Sequence, residues 1–215
     1  MAQIKLTLPD GSVMEVPAGT TALQVAERIG RRLAQDALAA KVNGRLVDLS
    51  RPLTEDADFQ ILTFKDEEGR HVYWHSAAHV LADAVTQLFP EAKPTIGPAI
   101  ADGFYYDFDV PAPFTEEDLR RIEQKMQEII DANQPFVREE CSSEEAMRRF
   151  EQMQNRYKVL LITDIGEPVV SLYHHADFTD LCTGPHLPST GYIKAFKLLS
   201  VAGAYWRGDE NNPML

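Results

Sequence analysis

The stretch IKLTLPDGSVMEV, residues 4–16, decides how the first part of this chain folds. Residues 4–8 alternate between apolar and polar side chains, a period of two that is typical of a β-strand with one buried face. Pro9-Asp10-Gly11 combines three residue types that favour a turn, and residues 12–16 return as a second strand. The stretch therefore predicts a β-hairpin.

Outward from this hairpin, the next fifty residues add a helix, a second hairpin and a last strand. Thr20 or Thr21 is placed to cap the helix, because a hydroxyl before an apolar helical pattern accepts a bond from the first turn. The second hairpin turns at Asn43-Gly44, and the last strand covers residues 59–64. Hairpin, helix, hairpin and strand is the order of a ubiquitin-like β-grasp, which we predict for residues 1–64.

The polar run at residues 65–70 separates this part from a second domain, predicted for residues 65–215. That domain begins with a helix carrying His75, and further helices start at Thr115 and Ser142, where an acidic residue three positions later completes a capping pattern. Strands are predicted at residues 104–108, 136–139, 157–163, 169–173 and 192–201. The fold class is therefore α+β, with helices packed on an antiparallel sheet.

Composition limits the classes of function. The chain has 215 residues, 44% of them apolar, and a formal net charge of −12, so it lacks the overall basic charge of many nucleic-acid-binding proteins. Residues 191–207 contain Lys194, Lys197 and Arg207 and no acidic residue. These three side chains are the best candidates for a surface that contacts phosphates.

The cellular compartment can be predicted from three features that the sequence lacks. Cys141 and Cys182 are too few for a disulfide framework, the first residues do not form a signal peptide, and no apolar run reaches the length of a membrane span. We therefore expect a cytoplasmic protein without membrane contact.

Two pairs of reactive side chains stand about a hundred residues apart. His75 and His79 are spaced i and i+4 on the predicted helix, so both point to one face. Cys182 and His186 have the same spacing across a turn, Thr183-Gly184-Pro185. We predict that the four converge on one cleft. Three histidines and a cysteine suit either zinc or a metal-free hydrolase, and the pattern leaves both open.

Several longer motifs carry a family resemblance. They are HSAAH at 75–79, GFYYD at 103–107, Tyr157-Lys158, DLCTGPH at 180–186 and GAYWRGD at 203–209. With them the chain resembles the N-terminal half of bacterial threonyl-tRNA synthetases: a TGS-type β-grasp domain followed by the editing domain shared with alanyl-tRNA synthetases. The match is full length, and because the chain shows no ATP-binding motif of the catalytic core, no amino-acid activation is expected of it.

The resemblance implies a proofreading reaction. Such editing domains hydrolyse serine from a mischarged threonine tRNA, seryl-tRNA(Thr), whose other contacts come from the remaining synthetase domains. Serine lacks one methyl group of threonine, which a binding pocket can discriminate by only about 1–3 kcal/mol, so a second hydrolytic site is needed.

The resemblance also implies roles for individual residues. His75 and His186 are candidates to position or activate water, and Lys158, on a predicted strand, to bind the terminal ribose or assist the leaving oxygen. As polar cleft residues, His75 and Lys158 are expected to tolerate alanine without loss of the fold.

The implied substrate-binding residues include Asp180, as receiver of the serine ammonium or hydroxyl group. His79 and Cys182 would line the pocket, with Cys182 holding water rather than attacking. Only one of Tyr105 and Tyr106 can join them, because neighbouring strand residues face opposite ways.

Three alternatives follow from these features. Editing of the threonyl type needs no cofactor, whereas an alanyl-type editor would bind zinc through His75, His79, Cys182 and His186. A non-enzymatic TGS-containing RNA-binding module is the third, and it leaves the reactive residues unexplained.

Overall fold

The computed structural model describes residues 2–215, which divide into two compact units. The first unit comprises residues 2–73 and 184–188, and the second comprises 74–183 and 189–215. The predicted domain boundary after residue 64 lies in the turn that precedes a long helix, whereas the division between units falls after Tyr73, inside that helix.

A five-stranded sheet with the strand order β2-β1-β5-β3-β4 forms the first unit. Its elements are β1 (Gln3–Thr7), β2 (Val13–Pro17), α1 (Ala22–Ile29), α2 (Arg31–Asp36), β3 (Ala37–Val42), β4 (Arg45–Val47) and β5 (Ala57–Thr63). Strands β1 and β5 are parallel at the centre, and the other pairs are antiparallel. This is the predicted β-grasp arrangement.

Packing of α1 on the sheet explains why the helix forms here. Its Ala22, Val25 and Ala26 are fully buried, and together with strand residues they build the core of the unit. Thr21 caps the helix by accepting a hydrogen bond from the amide of Gln24, while the Thr20 hydroxyl donates to the Pro17 carbonyl. Of the two predicted caps, Thr21 is the one used.

The second unit combines helices with small antiparallel sheets. Its elements are most of α3 (Glu67–Leu88), then β6 (Lys93–Pro94), β7 (Ala99–Ile100), β8 (Gly103–Phe104), β9 (Phe108–Asp109), α4 (Glu116–Asp131), β10 (Val137–Ser142), α5 (Ser143–Gln152), α6 (Arg156–Ile165), β11 (Val169–His175) and β12 (Phe178–Leu181). The sheet β10-β11-β12 is antiparallel, and a core of α5, α6 and β11 residues includes Phe150, Ile162 and Leu172. Thr115 and Ser142 cap α4 and α5 as predicted.

The predicted strand at 157–163 is wrong, because these residues form helix α6. The Asn155 side chain accepts a hydrogen bond from the Lys158 amide at the start of α6, and Gly166 ends the helix in the left-handed conformation. The caps and the helical spacing of the buried Tyr157, Lys158 and Ile162 favour a helix over the predicted strand.

Two other predicted strands do not form as predicted. Residues 192–201 contain only the end of a short 3-10 helix, Thr190–Tyr192, followed by irregular chain in which Leu199 is 87% exposed. The predicted strand at 104–108 is split into β8 and β9 around Tyr106. At 192–201 no partner strand pairs with the segment among the described residues.

None of the helices that the structure describes in residues 2–215 combines the length and the apolar character needed to span a membrane.

Candidate active site

Helix α3 presents the first pair of reactive residues. His75 and His79 lie one turn apart, with ring centroids 5.2 Å from each other and ring planes at 83°. His79 is 3% exposed, because neighbouring positions of this alanine-rich helix are packed into the interior. As predicted from their i and i+4 spacing, both imidazoles lie on one face of the helix.

Cys182 of the second pair lies beside them where the chain leaves β12. The Cys182 sulfur lies 3.3 Å from Nε2 of His75, although 107 residues separate the two. Ser171 of β11 fixes the Cys182 backbone, donating from its hydroxyl to the carbonyl at 2.6 Å and accepting from the amide through its own carbonyl at 3.1 Å. The candidate ligand atoms of His75, His79 and Cys182, all in the second unit, lie within 4.8 Å of one another. His186 belongs to the first unit, so the convergence of all four residues stays a prediction.

A buried cation lies beside this group. Nζ of Lys158 is 2.5 Å from Oδ1 of Asp180 and donates to the Tyr106 hydroxyl at 3.0 Å, and that hydroxyl donates to Oδ2 of Asp180 at 2.6 Å. Lys158 and Asp180 are 3% and 2% exposed. Buried charges persist only when they are paired and hydrogen-bonded, so each of the three side chains depends on the other two.

Asp180 connects the buried cation to the histidines. Its Oδ2 lies 3.8 Å from Nε2 of His79, and its Oδ1 also accepts from the Leu181 amide at 2.8 Å. Both carboxylate oxygens therefore already have partners within the protein. The sequence predicted that Asp180 receives the serine ammonium or hydroxyl, and a substrate group would have to displace one of these partners to do so.

Lys158 is better placed than Asp180 to meet a substrate. An ammonium group has three N–H donors, and among the described residues Asp180 and Tyr106 occupy two of them. The third donor is available to an oxygen atom that enters the site.

Tyr106 is the tyrosine that belongs to this site. It is 9% exposed, whereas Tyr105 is 47% exposed. Burial, followed by the charge of Asp180 and the hydrogen bond to it, raises the pKa of Tyr106 well above its usual range. The phenol is therefore held in its neutral form, which can donate to Asp180 and accept from Lys158 at once.

This pKa shift predicts a loss of stability at alkaline pH. Because the folded pKa is raised, the stabilisation is complete below the usual tyrosine pKa of about 10 and is lost as pH rises beyond it, by up to about 1.4 kcal/mol per pH unit. Tyr106→Phe should flatten the fall in the free energy of unfolding above pH 10, measured by urea denaturation. The same change at the exposed Tyr105 serves as control, and equal profiles for both variants would contradict the assignment.

A cavity of about 590 Å³ lies next to the buried cation. Lys158 and Asp180 line it together with Asp83, Gln87 and Phe178, so it runs along α3 on the C-terminal side of His79. A volume of this size is typical of a site for a small molecule or one end of a larger ligand.

The proposed phosphate-contacting residues are less free than the sequence indicated. Nζ of Lys197 is 2.6 Å from Oε2 of Glu123 on α4, and Arg207 forms an ion pair with Asp164 on α6. Lys194 donates to the Gly191 carbonyl at 2.7 Å. The segment is acid-free in sequence, but the fold brings acidic side chains from helices to two of its cations.

The sequence analysis did not identify Asn155, which fixes the start of the helix that carries Lys158. The Asn155 amide group donates to the Pro94 carbonyl at 2.9 Å while its oxygen caps α6, so Asn155 ties the start of this helix to the segment before it. The signal was present as Asn155 followed by Gly166 eleven residues later, a pair typical of helix ends.

Comparison with known proteins gives two family matches. Residues 4–63 match the TGS domain, and residues 170–215 match the threonyl and alanyl tRNA synthetase second additional domain. Similar proteins include threonine–tRNA ligases from Desulforamulus reducens (59% identical over 213 residues), Symbiobacterium thermophilum (57% over 213) and Pelobacter propionicus (56% over 215). The alignments cover 99%, 99% and 100% of this chain but 34%, 33% and 34% of those relatives, so the chain spans about a third of their length.

Proposed function

Because this chain belongs to the threonyl-tRNA synthetase family, we propose that it hydrolyses the ester bond of seryl-tRNA(Thr) and so removes serine from a threonine tRNA. The observation that carries the proposal is the combination of the His75–Cys182 contact with a buried, oriented Lys158 in the same unit. The relatives are named as ligases; the hydrolysis of a mischarged product is the activity that this site chemistry supports.

Ester hydrolysis needs a held water molecule, a proton acceptor and a positive group near the oxygen that gains charge. His75, 3.3 Å from the Cys182 sulfur, is placed to orient water and accept its proton. His186 is a second candidate for that role. The remaining N–H donor of Lys158 stabilises the developing charge or the leaving ribose oxygen. Cys182 forms part of the wall beside the water.

The burial of Lys158 makes this cation effective. In a site with little water, a hydrogen bond from a fixed ammonium group to a developing negative charge is stronger than in solvent. Asp180 and Tyr106 hold the ammonium group before the substrate arrives, so little rearrangement is needed during the reaction.

We propose that this reaction needs no metal ion. The donor set of three imidazoles and one thiol also fits zinc, whose bond lengths of 2.0–2.3 Å would set the ligand atoms about 3.3–3.8 Å apart. The atoms of His75, His79 and Cys182 lie within 4.8 Å of one another, so a modest movement would bring these three around an ion. A bound zinc would supply a Lewis acid and an activated water, as in an alanyl-type editor, which is the second candidate function.

For its macromolecular partner, we propose the acceptor end of a threonine tRNA, bound weakly by this chain. Affinity for nucleic acid depends largely on neutralising phosphates, and the net charge of −12 opposes it. Lys194, Lys197 and Arg207 remain the candidate contacts, and a phosphate would compete with the ion pairs that Lys197 and Arg207 already make.

The proposal predicts selective hydrolysis. The chain is expected to release serine from seryl-tRNA(Thr) while leaving threonyl-tRNA(Thr) largely intact, as followed by loss of radiolabelled ester in parallel reactions. Seryl and alanyl esters on an alanine tRNA are the comparison for the alanyl-type alternative. Equal rates on the seryl and threonyl esters would exclude proofreading, and tRNA binding without turnover would favour the RNA-binding module.

A further inference from the structure

A glycine lies directly against the tyrosine that holds Lys158. Strand β6 pairs with β9, and beyond it the Thr95 amide donates to the Asp107 carbonyl while the Asp107 amide donates to the Ile96 carbonyl, both at 2.9 Å. The antiparallel pairing therefore extends beyond β6 and β9, and the residues just before β7 run alongside the residues just after β8. It brings the backbone of Gly97 onto the ring of Tyr106.

The contact leaves no room for a side chain at position 97. A Cβ atom built on Gly97 would lie 2.0 Å from Cδ2, 2.4 Å from Cε2 and 2.6 Å from Cγ of Tyr106. Carbon atoms normally approach to about 3.5–4.0 Å, so the ring would have to move. Gly97 does not have the positive φ that favours glycine, so the requirement here comes from the ring and not from the backbone conformation.

The ring is also restricted by its other neighbours. Phe108 stacks on it with a centroid distance of 5.0 Å and an interplanar angle of 26°, and the ring is buried. A ring pushed away from residue 97 cannot keep its present depth. Its hydroxyl would then leave the position where it donates to Asp180 at 2.6 Å and accepts from Lys158 at 3.0 Å.

We propose that Gly97 is a positioning residue of the candidate site, which acts by letting the Tyr106 ring lie where its hydroxyl orients Lys158 and Asp180. The consequence for hydrolysis rests on the function proposed above, while the effect on the position of Tyr106 does not. Gly97 touches neither substrate nor reacting atoms, and its role is to set the geometry of residues that do.

Gly97→Ala tests this directly. A displacement of catalytic groups by about 1 Å can reduce a rate about 100-fold, so we expect kcat for seryl-tRNA(Thr) hydrolysis to fall by about that factor while KM changes little. Gly103→Ala is the matched control, because it makes the same change in the adjoining β8 and a Cβ there meets no atom within 4 Å. Thermal unfolding of each variant shows whether the fold is intact.

A second background separates positioning from a general loss of structure. In Tyr106→Ala the space beside residue 97 is empty, so adding Gly97→Ala should cause no further loss of kcat, which is the coupling expected for residues in contact. A wild-type rate in Gly97→Ala, or an equal further loss in the Tyr106→Ala background, would overturn the proposal.

A crystal structure of Gly97→Ala gives a readout that is independent of activity. We expect the Tyr106 hydroxyl to lie beyond hydrogen-bonding distance of Asp180, and an unchanged distance would overturn the proposal whatever the rates. Absence of seryl hydrolysis in the wild-type protein would instead count against the proposed function, and the structural comparison would still decide the role of Gly97.

Discussion

Lys158→Met is expected to lower the rate of seryl-tRNA(Thr) hydrolysis by about 10²–10⁴-fold and the free energy of unfolding by about 3–5 kcal/mol. The activity falls because the substrate loses the only oriented cation that the described residues place beside Asp180. The stability falls because Asp180, 2% exposed, would lose the ammonium group that pairs with it in the interior.

The expected loss of stability differs from what the sequence predicted for Lys158. As a polar cleft residue on a predicted strand, Lys158 was expected to tolerate alanine, but it lies on a helix, is 3% exposed and is paired at 2.5 Å. Removing one member of a buried ion pair is costly, whereas removing both charges is often nearly neutral. The structure therefore predicts that variants of Lys158 report on folding as well as on chemistry.

The double variant Lys158→Met/Asp180→Asn separates the two effects. Asparagine keeps one oxygen that can accept from the Leu181 amide, its NH2 group can donate to the Tyr106 hydroxyl in place of the second oxygen, and the charge is removed. We expect urea denaturation to show recovery of most of the lost stability, while hydrolysis stays at the level of the single variant. Recovery of the rate along with stability would mean that Lys158 is structural and takes no part in the reaction.

His75→Ala is expected to reduce seryl hydrolysis by about 10²–10⁴-fold, the contribution typical of a positioned proton acceptor. Cys182→Ala should cost less than about tenfold, because direct attack by water needs no thiol nucleophile. The measurement is single-turnover loss of the seryl ester. His71→Ala, the same substitution one turn earlier on α3 at an exposed position, is the control.

The same two variants test the metal-free proposal. If zinc were required, His75→Ala and Cys182→Ala would both lose metal and would both lose activity to a similar degree, since each removes a ligand of the same ion. We expect instead that added chelator leaves the wild-type rate unchanged and that elemental analysis of active protein finds less than one zinc per chain. Stoichiometric zinc that is lost with activity would establish the zinc-dependent alternative.

Features that depend on neighbours along the chain could be predicted from the amino-acid sequence. The hairpin at residues 4–16 follows from strand alternation around a Pro-Asp-Gly turn, and the caps at Thr115 and Ser142 follow from spacings of three residues. The common face of His75 and His79 follows from the helical period. These patterns are readable because the interactions that cause them span only a few residues.

Which distant side chains form ion pairs or line the same cavity depends on the tertiary structure. Tyr106 reaches Asp180 across 74 residues of sequence and Lys158 across 52, and Lys197 meets Glu123 across 74. No local pattern encodes such pairings, so the sequence could not choose between Tyr105 and Tyr106 or foresee that Lys158 is buried. The need for glycine at position 97 could not be predicted either, because the ring of Tyr106 contacts the Gly97 backbone only in the folded chain.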